Sequence, residues 1–83
     1  DIESQAQWRC VRALILARRG ACEEAEALVR RAINLAFETE ALSLKASTLM
    51  DLATILSCTA RAEEARVAAN DAIGIIASMP ALA

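Results

Sequence analysis

Apolar residues recur at helical spacing along nearly the whole chain. Over residues 4–19 the series Trp8, Val11 and Ile15 steps by three and four positions, which is typical of one face of an amphipathic helix. Gly20 follows, and a glycine at this place favours a left-handed helix end. The pattern predicts a first helix that ends in a turn at Gly20. We expect Trp8 to pack in the core or against a neighbouring helical unit rather than to anchor a partner.

The same spacing predicts a second helix after this turn. It opens with Glu23 and Glu24, acidic residues that suit the positive N-terminal end of a helix. Its expected apolar stripe contains Ala25, Leu28, Val29, Ala32, Ile33, Ala36 and Phe37. The stripe breaks at residues 38–40, where Thr39 is predicted to cap a third helix over 40–57.

Two further apolar stripes complete the pattern. The third helix is expected to bury Leu42, Ala46, Leu49, Ala53 and Leu56. The fourth begins near Ala62 and is expected to bury Ala65, Ala68, Ala69, Ala72, Ile73, Ile76 and Ala77. Because Pro80 cannot continue a helix, this helix ends before it, and we expect residues 81–83 to fray. The sequence thus predicts four helices.

The chain resembles itself when it is shifted so that Ile15 falls on Ile55. With this shift, eight of the 32 positions from Arg9 to Glu40 meet the same amino acid in the second half of the chain. All eight pairs fall at predicted helix positions. A fixed period of this kind is the signature of a repeat architecture, so the sequence predicts two copies of one helix–turn–helix unit.

The order of small and large residues within each unit resembles the tetratricopeptide repeat. The residues that carry the resemblance are Ala13 and Ala53, Leu16 and Leu56, Gly20 and Ala60, Ala25 and Ala65, and Ala32 and Ala72. The resemblance implies one all-α domain over 1–83 with two repeats, 4–38 and 40–79, whose four antiparallel helices form part of a right-handed solenoid. The period is longer here than the roughly 34 residues of that family. An up-and-down four-helix bundle, in which the first and fourth helices touch, is the alternative fold.

The segment from Trp8 to Ala36 is similar to tetratricopeptide arrays of large bacterial multidomain regulators, which also carry ATPase, nucleotide cyclase or DNA-binding domains. This resemblance implies a cytoplasmic, non-catalytic module for protein–protein interaction in signalling or transcriptional regulation. A protein or peptide would bind in its concave groove. The expected groove residues are Gln7, Cys10, Leu14, Arg18, Ser47, Met50, Thr54 and Cys58.

The groove expected from the resemblance is neutral and mildly apolar. Chaperone-binding members of the family hold a terminal carboxylate with Lys and Asn, but Cys10, Leu14, Met50 and Thr54 fill the comparable places here. We therefore do not expect that ligand. Alternatively, Leu14 and Met50 pack against each other or against neighbouring repeats.

The last predicted helix carries apolar residues beyond its main stripe, namely Val67, Ile75 and Ile76. The end units of solenoids usually need a polar outer face. The alternative function is therefore self-association as a homo-oligomer through these residues, or a spacer role without a separate ligand.

Composition excludes several classes of function. Charged residues make up 24% of the 83 and recur every few positions, so no stretch suits a bilayer span. A net charge of −2 argues against binding to nucleic acid or to an anionic membrane. The chain has no His, and its three cysteines lack CxxC spacing. We therefore expect no metal, no cofactor and no disulfide framework, and free thiols suit a reducing compartment.

Charged clusters on the predicted helices have structural explanations. The glutamate pairs at the starts of the second and fourth helices suit the helix dipole, and no His or Tyr accompanies them for acid–base chemistry. We expect no catalytic residues. The first helix gathers Arg9, Arg12, Arg18 and Arg19, which are expected to form a solvated face with salt bridges.

Overall fold

The computed structural model describes residues 1–80 and is all-α over that range. Its helices are α1 (Ile2–Arg18), α2 (Cys22–Ala36), α3 (Leu42–Ser57) and α4 (Ala62–Ala77). The predicted all-α class with four helices is therefore confirmed. None of these helices combines the length and the apolar character that crossing a bilayer requires. The fraying predicted for Ala81–Ala83 lies outside the described residues.

The helices form two hairpins that lie side by side. α1 packs along α2, and α3 packs along α4. The hairpins meet where α3 contacts α2 and, less extensively, α1. Within residues 1–80 α1 and α4 do not contact each other, so the four-helix bundle alternative is wrong. The paired hairpins instead agree with two helical repeats.

The repeat holds in the backbone as well as in the sequence. The number of residues from the start of α1 to the start of α3 equals the number from the start of α2 to the start of α4. The same number of residues separates Ile15 from Ile55. Both hairpin turns contain a residue in the left-handed region, Gly20 at φ 86° and Ala60 at φ 59°. In both turns the next amide donates to a carbonyl of the preceding helix, at 2.9 and 3.2 Å respectively. The two turns therefore stop their helices by the same hydrogen bond.

Two predicted helix starts need correction. α1 begins at Ile2 because the Asp1 side chain accepts a hydrogen bond of 2.7 Å from the Ser4 amide and caps the helix. Thr39 does not cap α3, which begins only at Leu42. Its hydroxyl instead donates to the Ala36 carbonyl and accepts from the Ala41 amide. Thr39 thus closes the connection between the two hairpins.

The core combines small side chains within the hairpins with larger ones between them. Fully buried alanines, Ala6, Ala13, Ala25 and Ala32, lie where α1 packs against α2. Because alanine occupies little space, the two helices can approach closely. Ile55 and Leu56 of α3 are among the largest fully buried side chains. They fill the junction of the hairpins together with Val29 of α2.

The apolar face predicted for α1 is wrong. Trp8, Val11 and Ile15 are exposed, Trp8 to 47% and Ile15 to 46%. The side that α1 buries carries Ala6, Cys10 and Ala13 instead, since the close approach to α2 favours small residues. Trp8 is therefore not a core residue. Its ring stacks with the Arg9 guanidinium at 4.5 Å.

The stripes predicted for the other helices are right in part. The alanines and Val29 of α2, and Ala65, Ala68 and Ala72 of α4, are buried as expected. Phe37, Ile73 and Ile76 are exposed, although their stripes include them. α3 buries more than one stripe, because Leu44, Leu52 and Ile55 are also inside. This helix is covered by its own hairpin partner and by the neighbouring hairpin.

Candidate functional site

The residues expected to line a concave groove lie on α1 and α3, which contact each other, with Cys58 directly after the end of α3. We call the side of these helices that carries them the α1–α3 surface. Six of its members are exposed: Gln7, Arg18, Ser47, Met50, Thr54 and Cys58. Leu14 is half-buried, and Cys10 is buried. Most of the predicted groove residues are thus accessible from solvent.

Cys10 marks the place where α1 and α3 meet on this surface. Its thiol lies beside the carboxylate of Asp51, and burial together with that negative charge raises the pKa of Cys10 to about 12. The thiol therefore stays protonated at neutral pH, whereas a reactive cysteine needs its thiolate. Cys10 fills space and donates a hydrogen bond rather than acting as a nucleophile.

Asp51 is the central charged group of the α1–α3 surface, and the sequence pattern did not single it out. Burial raises the pKa of its carboxyl group, and the hydrogen bond from the Cys10 thiol opposes this only in part. Within residues 1–80 the ion pairs involve other residues. Asp51 has thus lost hydration without gaining a cation in return. The available signal was that Asp51 is the one acidic residue of α3 and directly follows Met50.

A second cleft opens on the other side of the hairpins, between α2 and α4. It has a volume of about 350 Å³, with Ile33, Leu49 and Leu52 among its apolar walls. Arg30, Glu63 and Asp71 carry charge at the same cleft. Sequence reasoning missed this cleft because it needs side chains from three helices. In the sequence, the one signal of this cleft was Leu52, which stands where the first unit has Arg12.

An ion-pair network joins the two hairpins near this cleft. The Arg61 guanidinium binds Glu26 of α2 and, at 2.5 Å, Glu64 of α4. Glu26 also accepts a hydrogen bond of 2.8 Å from Arg30. The bond from Arg30 is the main reason that the pKa of Glu26 is lowered, and the bond from Arg61 lowers the pKa of Glu64. Both carboxylates are therefore ionised at neutral pH and serve as structural acceptors.

The arginines of α1 behave differently from the expectation of salt bridges. None of them takes part in the four ion pairs formed within residues 1–80. Arg9 donates to the carbonyl and the side chain of Gln5 at 2.9 and 2.8 Å. Arg12 and Arg19 border a cleft of about 510 Å³ formed with Trp8, Val11, Ile15 and Leu16. This face of α1 is thus apolar with a basic rim.

The residues expected to mediate self-association fall into two environments. Val67 and Ile76 are exposed on α4. Ile75 is half-buried and packs against the buried cluster of Ala46, Leu49 and Ala72. Only the first two are therefore available to a partner.

No group of three Cys, Asp or Glu side chains in the described part of the chain is arranged to hold a metal ion. Cys10, Cys22 and Cys58 are all free thiols.

Comparisons with protein-family models, with curated proteins and with solved structures gave no match. The function must therefore be argued from the geometry of the surfaces.

Proposed function

We propose that this domain is a non-catalytic protein-interaction module that binds a polypeptide segment on the α1–α3 surface. The observation that carries the proposal is Asp51, a half-buried carboxylate without an ion-pair partner among residues 1–80. Exposed Met50 precedes it in α3, and half-buried Leu14 belongs to the facing helix. A charge acceptor with apolar neighbours suits recognition of a peptide.

The chemistry of the surface describes the segment that it would bind. Methionine is flexible and polarisable, so Met50 adapts to an apolar side chain of the partner. A Lys or Arg of the partner would bind the Asp51 carboxylate with a charge-assisted hydrogen bond. The remaining members are mostly neutral. The expected ligand is therefore a helical or extended segment with a basic residue beside an apolar one.

The repeat organisation supports a place in a larger assembly. Two hairpins in the same register, together with the small-residue pattern, support a tetratricopeptide-like module. Modules of this kind present binding surfaces to other polypeptides. We propose that it acts in the cytoplasm within a larger bacterial signalling or transcriptional regulator.

Peptide selection tests the proposal directly. A phage-displayed library of random peptides is panned on the domain, and the enriched sequences are synthesised with a fluorophore. Fluorescence anisotropy then gives their affinity for wild type and for Met50→Glu, Asp51→Asn and Ala27→Glu. We expect Met50→Glu to weaken binding about tenfold or more, or roughly 1.4 kcal/mol. Asp51→Asn should weaken binding of those peptides that contain Lys or Arg.

Ala27→Glu is the matched control, because Ala27 is exposed on α2 away from the α1–α3 surface. Its affinities should equal those of wild type. Peptides that bind Met50→Glu as tightly as wild type, or a selection without enrichment, would contradict the proposal. Circular dichroism shows that each variant keeps its helices.

The stability of Asp51→Asn separates binding from folding. A carboxyl group whose folded pKa is raised stabilises the fold below its unfolded pKa, and this contribution is lost as the pH rises through the folded value. At neutral pH the charged Asp51 therefore destabilises the free domain. Asp51→Asn should raise the melting temperature while it lowers peptide affinity. A lower melting temperature would show that Asp51 acts within the fold instead.

A further inference from the structure

Identical residues at equivalent places in the two units differ sharply in exposure. Ile15 of α1 is 46% exposed, whereas its counterpart Ile55 of α3 is fully buried. Leu16 is half-buried, whereas Leu56 is buried. The amino acids and their places in the hairpin are the same, so the neighbouring hairpin accounts for the difference. The first unit covers the side of α3 that carries Ile55.

The opposite end of the molecule shows the reverse difference. Ile33 of α2 is half-buried against Ala46, Leu49 and Ala72 of the second unit. Its counterpart Ile73 of α4 is 58% exposed, and Ile76 is 52% exposed where the equivalent Ala36 is buried. No hairpin within the described residues lies beyond α4 to cover them.

We name these two uncovered regions for their place in the repeat. The leading face comprises Trp8, Val11, Arg12, Ile15 and Leu16 of α1. The trailing face comprises Ala69, Ile73 and Ile76 of α4. Each face corresponds, by the repeat register, to one side of the interface between the two hairpins. By position in the repeat, the two faces are therefore counterparts of each other and not of themselves.

We propose that the trailing face of one copy of this chain binds the leading face of a second copy, so that copies assemble head to tail. The rotation and translation between copies would be those that relate the two hairpins within one chain. The leading face offers a cleft of about 510 Å³ between its apolar and basic side chains. Ile73 and Ile76 of the other copy would pack beside this cleft, with Ile73 in the place that Ile33 takes against the second unit.

The substitution of Leu52 by Arg12 is compatible with this contact. Arg12 replaces buried Leu52 on the leading face, which would place a positive charge near the position of Arg30. That position is Asn70 on α4, so no like charges meet. Ala46 and Ala72, two of the three residues that receive Ile33, are repeated as Ala6 and Ala32, whereas Arg9 stands in place of the third, Leu49. The surface that would receive Ile73 thus keeps its small residues, and the apolar stem of Arg9 would take the place of Leu49.

Charge opposes contact between two leading faces. Arg12 and Arg19 border the cleft of the leading face, so two such faces would bring like charges together. The trailing face is uncharged, because the acidic residues of α4 (Glu63, Glu64 and Asp71) line the cleft toward α2. Contact between different faces is heterologous, and each added copy leaves one face of each kind open. Assembly should thus continue beyond a dimer.

The first measurement is the mass of wild type by light scattering over about a hundredfold range of concentration. We expect the weight-average mass to rise steadily with concentration and to pass that of a dimer. A chain that stays monomeric throughout would overturn the proposal and leave the two faces for other segments of a longer polypeptide. A mass that stops at a dimer would show a closed, like-to-like contact and would also overturn it.

Two blocked variants give the decisive test. Ile15→Glu closes the leading face, and Ile73→Glu closes the trailing face; both side chains are exposed, so the fold should tolerate the charge. In a solution of one variant, every unmodified face meets only the modified face of another copy. Each variant alone should therefore be monomeric. Mixed in equal amounts, they keep one intact pair of faces and should form a dimer that cannot grow. A mixture that remains monomeric contradicts the head-to-tail contact.

Val67→Glu is the matched control on α4. Val67 is exposed, but its counterpart Ala27 is also exposed, so this position lies outside the interface between units. Val67→Glu should assemble as wild type does, and loss of assembly would place the contact elsewhere on α4. Should Ile15→Glu or Ile73→Glu lose helicity, Trp8→Glu and Ile76→Glu block the same two faces.

Discussion

Single residues at the hairpin turns decide how each unit closes. Gly20 and Ala60 occupy equivalent places, and both adopt positive φ values. Glycine takes this conformation freely, whereas the Cβ of alanine crowds the following carbonyl. In the sequence, the small size of Ala60 suggests that it can replace Gly20 without cost. The positive φ of Ala60 shows that its backbone is strained.

We predict that Ala60→Gly stabilises the protein by about 1 kcal/mol, because it removes the left-handed strain. Gly20→Ala should destabilise it by a similar amount. Apart from Gly20 and its two chain neighbours, no residue of the described range comes within 4 Å of a Cβ built on Gly20. The loss of stability would therefore come from the backbone conformation and not from a clash. Urea denaturation of both variants measures the two changes. Equal stabilities for wild type and Ala60→Gly would contradict the strain.

Asp51 shows what residue patterns miss. An acidic residue within a helix is normally assigned to solvent. Asp51 is half-buried because α1 crosses next to it and places Cys10 at its carboxylate. Contacts between distant parts of the chain decide such burial, and one sequence does not contain them. Helical spacing places the expected groove residues on one side of α1 and α3, but it does not indicate that Asp51 is half-buried among them.

At the level of elements, α3 is the helix on which the two hairpins depend. It contacts all three of the other helices, and its buried residues span more than one stripe. α1 has the same place in its own hairpin, but it packs along α2 and contacts α3 less extensively. The difference in exposure between Ile15 and Ile55 shows how much burial the neighbouring unit contributes.

We predict that Ile55→Ala costs about 2–5 kcal/mol, because it leaves a cavity at the junction of the hairpins. Ile15→Ala removes the same atoms from an exposed site and should cost less than about 1 kcal/mol. Denaturant unfolding at a concentration where wild type is monomeric compares the pair. Similar losses for both would mean that the hairpins do not share a core.

The helices themselves could be predicted from the sequence more closely than their faces. Repeat register, turn glycine and Pro80 place the helix ends within a few residues. The apolar series of Trp8, Val11 and Ile15 nevertheless predicts a buried face where the structure has an exposed one. Helical spacing shows that residues share a face but not whether a partner covers it. In this molecule small residues pack within a hairpin, and large ones face the next unit.

At the level of the whole molecule, few polar contacts hold the two hairpins in register. The Arg61 side chain bridges Glu26 of the first unit and Glu64 of the second. Hydrogen bonds to both carboxylates raise the pKa of Arg61. The remaining contact between the hairpins is mainly apolar and would tolerate small shifts. The bridge therefore favours one orientation of the units.

We predict that this bridge makes the stability of the protein sensitive to acid. The folded pKa values of Glu26 and Glu64 lie below their ordinary value of 4.5. Such groups stabilise the fold above the unfolded pKa, and this contribution is lost as the pH falls through the folded pKa. Urea unfolding between about pH 7 and about pH 3 should show that wild type loses stability as the pH falls. Arg61→Ala should be less stable than wild type at neutral pH but should lose less stability in acid.

Arg66→Ala removes an ion pair within α4 alone and should keep the acid sensitivity of wild type. If Arg61→Ala loses stability with acid as steeply as wild type does, the acid response arises outside the bridge.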